Sequence, residues 1–232
     1  DPAVPGNYRP LSLLPFPIKI LEKHANNVPY SYLETHSLLD ARQSGFRPAH
    51  GTESALVAVL DDLRMAADQG QFVALILLDL SAAFDTVNQE ILLTRLRECG
   101  LQGTALAWCK SYLDNQCQSV YLTSYESKRR VLHQGVPQGS SLSPRLFNVY
   151  LNPLIRLIRA HGLQFMNYAD DTQLIVTVDP AHPDLFRMIQ SCMADISTWL
   201  SNNCLKFNAS KTEVLCVSNS TSPSVLSSQL LA

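Results

Sequence analysis

Residues 72–80, FVALILLDL, are apolar at every position but one, and that run constrains the architecture more than any other feature of the chain. A strand with one wet face alternates polar and apolar side chains, whereas an unbroken run of this length reads as a strand buried on both faces. The exception is Asp79, at the polar end of the run. Such a strand needs partners. Residues 164–168 and 172–178 read as a hairpin with Ala169, Asp170 and Asp171 as its turn, and 205–208 and 213–217 read as short strands. Another hairpin is expected from 118–122 and 128–132, joined by 123–127.

Helices are expected around these strands. One covers 19–27. Another starts at a Thr52 cap, carries a stripe of Leu56, Val59, Leu60 and Leu63, and stops at Gly70. Asn88 caps a third through Cys99, and a fourth spans 104–113. Ser143-Pro144 opens a fifth, with Phe147, Tyr150, Leu151, Leu154 and Ile158 on its apolar side and a kink at Pro153. Pro183 opens the last, through Leu200. The order predicts an α+β fold, with helices packed on one face of an antiparallel sheet. The serine-rich stretch 218–232 reads as a disordered tail.

Bulk properties narrow the class. At 232 residues, 46% hydrophobic and 16% charged, the chain can bury a substantial core, and no repeat or glycine-rich linker divides it. A net charge of −2 does not by itself point to nucleic acid, so a cytosolic enzyme or scaffold would fit the charge alone. The six cysteines form no C-x-x-C pair and the six histidines no ligand spacing, which argues against zinc and for reduced, mostly buried thiols. Trp108 and Trp199 read as core residues. No apolar run reaches membrane-spanning length. The start at Asp1-Pro2, without a charged-then-apolar leader, suggests an intracellular piece, nuclear or cytoplasmic, of something larger.

Asp79 alone fits a turn or cap as well as a site. Asp170-Asp171 alone fits a solvated turn, although two adjacent carboxylates repel each other unless a cation is near. Together they suggest more. A strand-end Asp and an Asp-Asp hairpin in one sheet can gather three hard oxygen ligands suited to Mg²⁺. Two such ions about 4 Å apart would serve both the attacking and the leaving oxygen of a phosphoryl transfer.

Six blocks carry a resemblance. NYRPLSLL (7–14), QSGFRPAHGTESAL (43–56), LILLDLSAAFDTV (75–87), GVPQGSSLSPRLFNVYL (135–151), FMNYADDTQL (165–174) and NCLKFNASKTEVL (203–215) occur in order along the chain. Together they resemble the successive blocks of the reverse transcriptase of LINE-type (non-LTR) retrotransposons. The resemblance implies a right-hand polymerase, with fingers roughly over 1–71 and palm roughly over 72–217, the palm interrupted by helices. It implies RNA-directed DNA synthesis on a primer 3′-OH, with an RNA template, a DNA primer, deoxynucleoside triphosphates and two Mg²⁺ ions, or Mn²⁺, as partners.

By the same resemblance Asp79, Asp170 and Asp171 hold the metals, Asp171 more loosely. Phe84 is similar to the steric gate that rejects a 2′-OH, and otherwise reads as a core aromatic. Gln138 and Gly139 resemble the loop beside the nascent base pair. Lys211 resembles the lysine near the leaving pyrophosphate, and Arg9, Lys19 and Arg47 the basic residues that hold the triphosphate. Thr86-Val87-Asn88-Gln89 and the segment 24–36 depart from the family pattern, and no thumb or primer-grip block follows Lys211. These departures imply an alternative, an inactive retrotransposon-derived fragment that at most binds nucleic acid. A metal-dependent phosphohydrolase would need further acidic or histidine ligands near Asp79, and the sequence offers none.

Overall fold

The computed structural model describes residues 11–122, 124–178, 185–208 and 210–217. It opens with two helices, α1 (Phe16–Thr35) and α2 (Thr52–Asp68), then β1 (Phe72–Leu78). Helices α3 (Gln89–Glu98) and α4 (Gly103–Leu113) follow, with the short strands β2 (Cys117–Gln118), β3 (Tyr121–Leu122), β4 (Tyr125–Glu126) and β5 (Arg130–Val131). Then come α5 (Ser143–Ala160), β6 (Gln164–Tyr168), β7 (Asp171–Val178), α6 (Leu185–Asn202) and β8 (Glu213–Val217). Contacts divide the chain into two units, Asp1–Leu38 with Phe84–Tyr150, and Leu39–Ala83 with Leu151–Ala232. The expected opening at Pro183, the tail and the block residues 7–10 lie outside the described residues.

The second unit is built on the apolar run. β1 is an interior strand of a four-stranded sheet ordered β6-β7-β1-β8, with every neighbouring pair antiparallel. Val73 and Leu75 face one side and join Ala55, Val59 and Ala66 of α2 with Met166 and Ile175. Ala74, Ile76, Leu78, Leu174 and Val176 on the other side are equally buried. Both faces are therefore covered, as an apolar run with no polar alternation requires.

Which side of α2 is buried also differs from expectation. Ala55, Val59, Asp62 and Ala66 face inward, while Leu56 and Leu60 are more than half exposed. Small side chains let the helix lie close to the sheet. Asp62 is tolerated there because Arg42 grips it with both terminal guanidinium nitrogens, one at 3.0 Å, and this pairing raises the Arg42 pKa.

In the first unit α1 runs well beyond the predicted 19–27. Pro29 does not end it, because Glu22, Asn26, Tyr30 and Leu33 form one buried face whose packing outweighs the local cost of proline. Asn88 caps α3 as expected, accepting the amides of Glu90 and Ile91 at 3.0 Å. The single hairpin expected over 118–132 is instead a ladder in two pieces, β2 with β5 and β3 with β4. The expected strand at 205–208 reduces to one bridge, Leu80 to Phe207. Trp108 and Trp199 are half-buried, not core. His161 has a partner the spacing did not reveal, Asp195 on α6 at 2.9 Å. Among the described residues no helix is long and apolar enough to cross a membrane.

All six cysteines are free, but only Cys109 and Cys192 are buried; Cys99 and Cys216 are half-buried, and Cys117 and Cys204 exposed. Burial pushes the Cys109 and Cys192 thiols up to about 11, so the reactive thiolate is scarce at neutral pH. Timed alkylation read by mass spectrometry is expected to label Cys117 and Cys204 first and Cys109 and Cys192 last. Early labelling of Cys192 would contradict this packing.

Candidate active site

The register of β1 against β7 decides where the three aspartates stand. Leu78 pairs with Thr172, the last pair of that ladder. Antiparallel continuation sets Asp79 opposite Asp171, the first residue of β7. Asp170 is the residue before it, in the turn that joins β6 to β7. All three thus come to the same end of two neighbouring strands. Asp171 is exposed; Asp79 and Asp170 are half-buried. Among the described residues, no cation or hydrogen-bond donor engages the carboxylate of Asp79 or of Asp170.

The turn is two residues long, not three, and its first residue, Ala169, has φ +60°. A non-glycine residue there carries a backbone cost of order 1 kcal/mol, and the surroundings hold it in place. Asn167, fully buried, points its side-chain amide at the carbonyls of Ala169 and Asp171 and at the Thr172 hydroxyl, at 3.2, 3.1 and 3.0 Å. Its backbone is clasped from outside. The Asn167 amide donates to the Arg42 carbonyl at 2.9 Å, and its carbonyl accepts from the Ser44 amide at 2.8 Å. The stretch 42–44 thereby closes the β6 edge as a parallel bridge. Gly45 follows and lies against the turn itself. A Cβ at Gly45 would stand 2.2 Å from the Ala169 nitrogen, so only glycine fits.

On the far side of β1, the segment after α6 reaches back to Asp79. The Asn208 amide donates to the Asp79 carbonyl, and the Ser81 amide to the Lys206 carbonyl, both at 2.9 Å. Asn208 also starts the tight turn carrying Lys211, whose amide donates to the Asn208 carbonyl at 3.0 Å. Lys211 is exposed on a turn tied to the backbone of Asp79.

The first unit holds a second cluster. Phe84 and Val87 accept from the amides of Val136 and Gly135 at 2.8 and 2.7 Å, which clips 84–87 to the loop beginning at Gly135. The Phe84 ring is half-buried and stacks on buried Phe147, centroids 4.7 Å apart. The Gln138 side-chain amide donates to Asp85 at 2.9 Å, and the Gln138 backbone carbonyl accepts from the Ser12 amide at 2.8 Å. Gly139 has φ +97°, a conformation that favours glycine.

Glu22, which sequence reasoning passed over, holds the next residues. It is 1% exposed and accepts from the Tyr112 hydroxyl at 2.7 Å and the Ser141 amide at 3.1 Å. Ser140 bonds Tyr112 and accepts the amides of Leu142 and Ser143, capping the start of α5. Burial pushes the Tyr112 pKa up, keeping it a neutral donor.

The sequence matches, over residues 1–229, the family described as reverse transcriptase (RNA-dependent DNA polymerase). The chain belongs to this family. It is 27% identical over 213 residues to the probable RNA-directed DNA polymerase from transposon BS of Drosophila melanogaster, covering 90% of this chain and 23% of that protein. It is 27% identical over 220 residues to the RNA-directed DNA polymerase from mobile element jockey of the same species, covering 93% of this chain and 24% of that protein. These relatives belong to non-LTR retrotransposons, the type the sequence blocks resemble. The chain spans about a quarter of their length. In fold it is similar to telomerase from Candida albicans, with a TM-score of 0.64 at 15% identity over 86% of this chain and 35% of that one.

For a reverse transcriptase, the oxygen-only donor set fits a hard divalent cation. Among the described residues no three His, Cys, Asp or Glu side chains converge into a ready-made cage. Mg²⁺ is commonly held by one or two carboxylates with waters and substrate phosphates completing its shell, so two unpartnered carboxylates suffice. The basic residues named by the resemblance stand in different surroundings. Lys19 is exposed on α1, and Arg9 lies outside the described residues. Arg47 turns inward and donates to the carbonyls of Asp40 and Gln43, the latter at 2.8 Å, which braces the loop leading to Gly45.

Gly45→Ala should push the Asp170 turn out of place, at an overpacking cost of about 1–3 kcal/mol. We expect a melting temperature lower by at least about 3 °C. A variant that melts with the wild type would show that the contact with Ala169 is loose.

Proposed function

We propose that this chain is the fingers-and-palm portion of an RNA-directed DNA polymerase of a non-LTR retrotransposon, extending a DNA primer on an RNA template. The observation that carries the reading is the end of the β1–β7 ladder, where Asp79 and Asp170 offer carboxylates that no described residue neutralises. Unpaired acids at a sheet end repel one another and add nothing to the fold, which favours a role toward a cation. Asp79 and Asp170 would hold divalent ions, with Asp171 at the rim. When bound, such ions stabilise the charge on the attacking and leaving oxygens of nucleotidyl transfer.

The other roles follow the family. Lys211 would place its ammonium to steady negative charge on the departing pyrophosphate. Phe84 would bar a 2′-OH, its ring fixed by the stack on Phe147. Gln138 and Gly139 would line the nascent pair, with Asp85 setting the angle of the Gln138 amide. Lys19, Arg9 and Arg47 remain candidates for the triphosphate, Lys19 with its side chain exposed.

Asp79→Asn and Asp170→Asn separate function from structure. Each is expected to weaken binding of Mn²⁺ with a deoxynucleoside triphosphate at least about tenfold, read by calorimetry. The melting temperature should stay level or rise, because a repulsion is relieved. A lowered melting temperature with unchanged binding would make these residues turn formers and overturn the reading. In the full reading frame that contains this chain, the same substitutions should cut RNA-templated extension at least about a hundredfold.

Phe84→Ala in that longer protein should narrow the preference for deoxynucleotides over ribonucleotides, measured as a ratio of kcat/KM. An unchanged ratio with a lower melting temperature would assign the ring to packing on Phe147 alone.

A further inference from the structure

The ladder formed by β2, β3, β4 and β5 has no core of its own. Tyr121, Leu122 and Tyr125 are 66%, 74% and 80% exposed, and Val120 and Val131 are also more than half exposed. A two-stranded ribbon is marginal in water without a covering layer, and a cluster of exposed large side chains marks an interaction surface. Its charge says what kind. Lys128, Arg129 and Arg130 are consecutive and all exposed, against the single acid Glu126, which Ser119 already engages at 2.9 Å. The stretch 117–133 thus carries +2 in a chain whose net charge is −2. Beside it, α3, the end of α4 and β5 border an open groove of about 800 Å³ that reaches His133 of the same stretch and adds Arg97 and Lys110, balanced by Glu90 and Asp114.

Cations interleaved with exposed aromatic rings suit a polynucleotide strand, whose phosphates meet the cations while unpaired bases stack on the rings. An acidic peptide would use the cations and leave both tyrosines unexplained. We infer that this ribbon is a docking surface for single-stranded RNA, outside the residues assigned to catalysis. The choice of RNA rests on the polymerase reading, in which RNA is the template.

The test is binding of a fluorescein-labelled oligouridylate to the 232-residue chain, followed by anisotropy across a salt series with EDTA present. Each phosphate neutralised on a single strand contributes about 0.7 to the slope of log affinity against log salt. The combined Lys128→Ala, Arg129→Ala, Arg130→Ala variant should therefore flatten the slope by about 2. Tyr121→Ala with Tyr125→Ala should weaken binding at least about fivefold at every salt concentration and leave the slope alone. Removing three exposed cations elsewhere, by Lys23→Ala, Arg64→Ala and Arg156→Ala, should change the slope by less than half as much.

A wild-type slope in the ribbon variant, an equal loss in the control, or tighter binding of polyglutamate than of oligouridylate would each overturn the proposal. So would absence of RNA binding by the wild-type chain. All of these side chains are exposed, and circular dichroism melting verifies that each variant folds. Because EDTA removes divalent ions, failure here leaves the metal reading of Asp79 and Asp170 standing. Failure of the nucleotide-binding experiment would leave this surface to be judged by its own slopes.

Discussion

The register between β1 and β7 is the constraint on which the candidate site depends. Seven residue pairs fix it, from Phe72 with Val178 to Leu78 with Thr172. A slip of one residue would turn Val73 and Leu75 away from the α2 side and send Ala74 and Ile76 toward it. Because both faces of β1 are buried and differently shaped, such a slip would leave voids on one side and clashes on the other. Hydrophobic packing along the strands thus sets where Asp79 stands relative to Asp170 and Asp171. The aspartates contribute nothing to that choice. Asp79 lies just past the end of β1, Asp171 is the first residue of β7 and Asp170 stands in the turn before it, where a charge can reach water or a cation.

Holding the turn is a separate task, and it falls to residues far away in sequence. Ala169 in the left-handed region gains support from Asn167, which satisfies two carbonyls and a hydroxyl with one buried amide. The 42–45 stretch closes the β6 edge and lays Gly45 on the turn. Arg42 ties that stretch to α2 through Asp62, and Arg47 ties it to its own loop through the carbonyls of Asp40 and Gln43. The block QSGFRP therefore acts within the second unit as a clamp on the Asp170 turn. Much of its polar character is structural.

In the first unit the loop after Gly135 is held at both ends by carboxylates, Asp85 at Gln138 and Glu22 at Ser141. The departures from the family pattern also find local uses. Val87 is fully buried, Asn88 caps α3, and Gln89 donates to the Gly135 carbonyl at 3.2 Å. These residues therefore have structural uses of their own within the first unit. The segment 24–36, also at variance, supplies Asn26, Tyr30 and Leu33 to the buried face of α1.

By itself the sequence determined most of the element types, the interior strand, the hairpin with its aspartates and the family, because these rest on local periodicity, turn chemistry and ordered blocks; the strand expected at 205–208 and the single hairpin expected over 118–132 were not among them. The Asn88 cap and the Phe72–Leu78 strand were legible from their own residues, although the strand forms only against its partners β7 and β8. Only the tertiary structure decided which faces are buried and which charges are free. Leu56 and Leu60 lose the inner side of α2 to alanines, because closeness to the sheet outweighs side-chain hydrophobicity. Glu22 is a buried anchor and Arg47 a brace, whereas Lys128, Arg129 and Arg130 stay in water. Residue type cannot separate these cases. A charge is structural or available according to the partners that distant segments bring to it, and those partners exist only once the chain has folded.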